Sequence, residues 1–150
     1  MTKIYQGLGL CCMYPENWTV TEDTDDGKIL GFTLESPSSA FMTVTENPWT
    51  VTPAEAMEQA CEVMKTEYEE VEFDEIESDL TWNGEPLKNC IAADAQFYYL
   101  DLMVISRMIA FALDHRTFLV QIQAEDRDFD KLEMVFKAIL ISLLQSVKNE

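Results

Sequence analysis

Residues 89–124, NCIAADAQFYYLDLMVISRMIAFALDHRTFLVQIQA, decide the fold. Within them, residues 90–99, 103–114 and 117–124 are rich in β-branched and aromatic side chains. The last run alternates cleanly, with Phe118, Val120, Ile122 and Ala124 against Thr117, Gln121 and Gln123. The three runs read as an antiparallel meander. The middle run carries Met103, Ile105, Ile109, Phe111 and Leu113 on one parity and Val104, Met108, Ala110 and Ala112 on the other, so it should be buried on both faces. A sheet covered on both sides needs helices to cover it.

Two stretches can supply that cover. Thr52 is a helix cap, Pro53 suits the first helical position, and Glu55 stands where a capping box wants it. Met57, Cys61, Met64 and Tyr68 then recur at helical spacing beside Ala56 and Ala60. The second helix is expected over residues 129–147, with Asp126, Asp128 and Asp130 near its positive end and Lys148 near its negative one. Leu132, Val135, Phe136, Ile139, Leu140 and Leu143 form its stripe, and Met134, Ile141 and Leu144 widen that stripe beyond what one sheet face demands. These three residues, with Trp49 in the loop Asn47-Pro48-Trp49, are the candidates for contact with another polypeptide.

The remaining strands are shorter. Residues 8–13 read as a first strand ended by Tyr14-Pro15-Glu16-Asn17, and residues 28–35 and 40–45 as a second and third. Residues 22–27 hold acids at the wrong spacing for a calcium loop and read as a solvated hairpin turn. The most acidic stretch, residues 67–79, interleaves eight acids with Val71, Phe73 and Ile76, and the shifted apolar spacing between Phe73 and Ile76 suggests a bulge in a half-wet strand. Asn83-Gly84 between strand-like residues fits a type I′ hairpin, in which both central positions need positive φ.

Composition narrows the partners. At 150 residues and 47% hydrophobic the chain suits a single domain over residues 1–150. Ten basic residues against 28 acidic ones, a net charge of −18, repel nucleic acid and anionic membranes. Cys11, Cys12, Cys61 and Cys90 show no metal spacing and read as reduced thiols of a cytoplasmic protein. No apolar run approaches the ~18 residues of a membrane span. The one histidine, His115, sits in a polar turn and builds neither a triad nor a multi-histidine metal site.

Tyr14-Pro15-x-x-Trp18, Phe32 in the following strand, and a closing Phe136-x-x-Ile139-Leu140-x-Ser142-Leu143 resemble one superfamily. It includes the photosystem II extrinsic P protein (PsbP), the nuclear-import regulator that binds Ran GTPase, and a bacterial group of unknown or chaperone function. The resemblance covers most of the chain. It implies an α+β fold: an α-β-α sandwich with a central twisted antiparallel sheet of about six to seven strands, one helix in mid-chain and one at the C-terminal end. The chaperone members hold hydrophobic helices of a client on the sheet and usually work as dimers, so a protein partner and a homodimer are what the resemblance implies. The chain departs from the pattern at two turns, Leu100-Asp101, which lacks a glycine, and Asp114-His115-Arg116.

For function, the chain lacks GxSxG, a phosphate-cradling loop, HExxH and a dinucleotide fingerprint. The expectation is a non-enzymatic protein-binding module, adaptor or chaperone-like, with no cofactor and no metal, using the sheet face or the terminal helix. The alternative is a small-ligand carrier in which Tyr98, Tyr99 and Arg107 supply polar contacts on a concave sheet face. A carboxylate-dependent hydrolase is a second alternative, with the acids of residues 67–79 as its only raw material.

Overall fold

The computed structural model describes residues 1–147, so Lys148 lies outside the described residues. The chain opens with a hairpin of β1 (Thr2–Gly7) and β2 (Leu10–Pro15). Strands β3 (Thr19–Asp25), β4 (Lys28–Glu35) and β5 (Phe41–Asn47) follow, then helix α1 (Pro53–Glu67) and β6 (Glu72–Ile76). A short hairpin, β7 (Thr81–Trp82) and β8 (Glu85–Pro86), leads into β9 (Ile91–Tyr99), β10 (Leu102–Leu113) and β11 (Arg116–Glu125), and α2 (Asp126–Ser146) comes last. Seven strands form one antiparallel sheet in the order β3-β4-β5-β11-β10-β9-β6. With a helix on either side, this is the α+β sandwich expected.

The meander occupies the middle of that sheet, and its centre is β10. Ile109, Phe111 and Leu113 enter the core beneath α2, whereas Met108 and Ala110 enter the core beneath α1. On the α1 side, Ala56, Met57 and Met64 pack against Ala93, Ala95 and Phe97, and small alanines on both partners let the helix lie close. Thr52 Oγ1 accepts the Glu55 amide at 3.1 Å and its hydroxyl donates to the Glu55 carboxylate, a variant of the capping box.

The α2 side is larger because two elements roof it. α2 brings Phe136, Ile139, Leu140, Leu143 and Leu144 onto the sheet. The β1–β2 hairpin lies beside it, with Tyr5 on the Phe32 ring, centroids 4.3 Å apart. β2 is joined to α2 by an uncommon device. Ser142 and Ser146, one turn apart, each accept a β2 amide proton at 3.0 Å, from Met13 and Cys11 respectively. The helix thus satisfies a strand edge that would otherwise be bare. The two edges of the large sheet are protected differently: β3 exposes Glu22, Asp23 and Asp25, and β6 exposes Glu72, Asp74 and Glu75.

Five two-residue hairpins share one geometry, with both central residues at positive φ: Leu8-Gly9, Asp26-Gly27, Asn83-Gly84, Leu100-Asp101 and Asp114-His115. Three use glycine at the second position. A Cβ-bearing residue in this region costs about 1 kcal/mol, so the two glycine-free turns are local departures from what the backbone prefers.

Several sequence expectations are corrected. The strand expected over residues 8–13 is the second strand and runs over Leu10–Pro15, because Leu8-Gly9 is a turn, and β1 before it was hidden by its mostly exposed, weakly patterned side chains. Residues 22–25 belong to β3, and only Asp26-Gly27 turns. No bulge interrupts β6, whose register against β9 is continuous. Phe73 and Ile76 differ in parity because Phe73 packs under α1 and Ile76 under α2. α2 begins at Asp126 rather than residue 129, capped by Glu125, whose carboxylate accepts the Asp128 amide.

Candidate functional site

A groove of about 470 Å³ opens between α2 and the β6–β9–β10 part of the sheet, within the size range of ligand pockets. Ala92, Ile109 and Ile122 form its floor, Phe129, Phe136 and Leu140 its α2 wall, and Ile76 and Leu80 the opposite wall. Met134, 73% exposed, stands at its mouth. The far wall belongs to the connection between β6 and β9, which carries the β7–β8 hairpin. Leu80 anchors this strap in the core, Trp82 Nε1 donates to the Val147 carbonyl at 3.0 Å, and Lys137 pairs with Asp79 across the opening. That hydrogen bond holds the Asp79 carboxyl below its ordinary range.

Arg107 lies inside the groove, but its guanidinium is already committed. Nε and Nη2 donate to the two Asp94 oxygens at 2.8 and 3.1 Å, and Nη1 donates to Glu133 at 2.9 Å. The Asp94 bonds, with those to Glu133, raise the Arg107 pKa above its ordinary value. Its charged head also stacks over the Phe129 ring, 5.0 Å from the centroid. Arg107 therefore fastens α2 to the sheet.

The carrier arrangement of Tyr98, Tyr99 and Arg107 is not assembled. Adjacent strand residues face opposite ways, so Tyr98 shares the α2 face with Asp94, while Tyr99 meets Tyr68 on the α1 side, centroids 6.1 Å apart. Both tyrosines are exposed at the end of β9, beyond the groove. Among the other candidates, Trp49 (78% exposed), Met134 and Ile141 are open to solvent, with Ala138 continuing the stripe between the last two. Leu144 is the exception: at 2% exposure it is part of the core beneath α2, because the N-terminal hairpin extends the roofed area and uses the wide stripe. Of the groove's strap, the sequence shows the Asn83-Gly84 hairpin but not its docking against α2. A lone Lys137 between Phe136 and Ile139 was its signal, since a cation beside an apolar stripe wants a nearby carboxylate.

Burial pushes the Cys12 thiol up to about 11 and raises Cys61 and Cys90, which favours the protonated form of all three. Among the described residues, no group of three or more His, Cys, Asp or Glu side chains is placed to hold a metal ion, and no helix is long and apolar enough to cross a membrane.

The sequence matches no family model and no curated protein. The fold is similar to that of PA94 from Pseudomonas aeruginosa, a protein of unknown function, with TM-score 0.50 and 10% identity over 99% of this chain and 98% of that one. LpqN of Mycobacterium tuberculosis, involved in cell envelope biogenesis, gives TM-score 0.45 and 13% identity over 93% of this chain and 80% of that one. At such identity the first likeness shows a shared fold alone.

Proposed function

We propose that the chain is a non-enzymatic protein-binding module whose groove beneath α2 receives an apolar side chain from a basic stretch of another polypeptide. The observation that carries this reading is an apolar floor with an acidic margin. Glu77, Asp79 and Glu133 line it, Asp94 adds a fourth carboxylate behind Arg107, and the two cations, Arg107 and Lys137, are already paired. An anionic ligand would have to break those pairs, whereas a cationic segment meets a margin with four carboxylates against two cations, a net negative charge. The resemblance to the PsbP-like superfamily, with its chaperone branch, supports the same reading. The uncovered half of the sheet supports an apolar client less well, since threonines fill its central row.

The test uses two fluorescein-labelled twelve-residue peptides, one of leucine and lysine and one of leucine and glutamate, titrated by anisotropy. The Leu–Lys peptide should bind, and its affinity should fall with added salt. Met134→Lys, an exposed change at the groove mouth, should weaken it by roughly tenfold, about 1.4 kcal/mol. Equal binding of the Leu–Glu peptide, or indifference to Met134→Lys, would defeat the proposal.

A further inference from the structure

The tip of the β9–β10 hairpin gathers exposed apolar side chains as no other described segment does. Tyr98, Tyr99, Leu100 and Leu102 are 69%, 56%, 80% and 47% exposed. Below them, Phe97 faces Val104, and both pack in the α1-side core. Above that rung, neighbouring strands are absent: β11 reaches Val104 with Glu125 and then becomes α2, and β6 starts opposite Gln96. The last two rungs and the turn therefore project beyond the sandwich by roughly 7–10 Å, at ~3.4 Å per residue. Tyr98 faces one way and Tyr99 and Leu102 the other, so the projection is an apolar knob.

The turn itself shows that the fold does not require this chemistry. Leu100 and Asp101 hold φ of 51° and 65°, a geometry that favours Asn and Gly. Leu8 adopts the same conformation in its turn but packs against the core, whereas Leu100 stands in solvent. A bulky residue held in a disfavoured conformation without packing points to selection by something outside the chain. Acids flank the knob: Asp101 at its apex, Glu72 beside Gln96 on one side, and Glu125, which pairs with Arg127, beside Val104 on the other.

We infer that the β9–β10 tip is a docking knob that inserts into an apolar socket with a basic margin on a partner protein. The inference goes beyond the groove reading and does not rest on it. Charge chooses the occupant. A second copy would bring a like-charged collar against this one, and a bilayer would have to take up Asp101 at the apex.

The experiment places the photo-crosslinking residue p-benzoylphenylalanine in place of Tyr98, and as a control in place of the exposed Val63 of α1, in the cells the chain comes from. The protein captured through position 98 is identified, purified and titrated against the parent chain and the Leu100→Asn variant. The expected result is one captured protein absent from the Val63 control, bound less tightly at high salt and weakened by roughly tenfold or more in Leu100→Asn. The variant's Tm should be unchanged or raised, because asparagine suits the turn. A lowered Tm would show that Leu100 serves the fold and would overturn the inference. So would adducts only to the chain itself or to lipid, an adduct whose affinity ignores Leu100→Asn, or no adduct beyond the control.

Discussion

On its α2 side the sheet is roofed across both halves, by the helix over the meander and by the β1–β2 hairpin over β4. On its α1 side the cover reaches only β6, β9, β10 and β11, and across β3, β4 and β5 the cross-strand row Thr21, Thr33, Thr43 meets water. Thr33 and Thr43 satisfy each other there, their hydroxyls 2.9 Å apart. One strand pattern thus yields an oily face and a hydroxyl face, and the α1 helix is an addition to a core already closed on the other side.

That inequality can be broken in order of effect. Phe118→Ala removes a 1% exposed ring from the α2 side and should cost about 3–5 kcal/mol in urea unfolding. Met64→Ala on the α1 side should cost about 2 kcal/mol, since α1 can settle onto its alanines. Equal losses would erase the distinction. Alkali should act on the roofed side through Cys12, whose thiol keeps its proton up to about pH 11 when folded, against an ordinary value near 8.5. The unfolded chain releases that proton first, so stability is complete below about pH 8.5 and declines as pH rises toward 11. The loss is on the order of 3 kcal/mol, and Cys12→Val should flatten that slope.

Ser142→Ala and Ser146→Ala each leave a β2 amide without its acceptor and should cost about 1 kcal/mol, read by faster hydrogen exchange at Met13 and Cys11. Thr21→Val, on the open face, should change stability by less than about 0.5 kcal/mol. A loss comparable to that of Phe118 would mean the hydroxyl row is structural.

The meander, the α1 cap and the Asn83-Gly84 turn were legible because local chemistry alone specifies them. β1 was not, since Ile4 faces water and Tyr5 faces Phe32, which inverts the apolar signal. Leu144 misled because a helix pattern shows how wide a stripe is, not how many elements share it. The groove is a long-range product: Asp79 and Lys137, 58 residues apart, pair across its opening, and neither stands out among 28 acids and ten bases. The glycine-free turn at Leu100 was visible from the start, and only its exposure gives it meaning.

The seam between β2 and α2 joins residues 129 and 135 positions apart. During synthesis the N-terminal ribbon must therefore wait, its bonding edge open, until nearly the whole described chain has left the ribosome. Maturation of the native state is expected to be slow and to end with this hem being stitched.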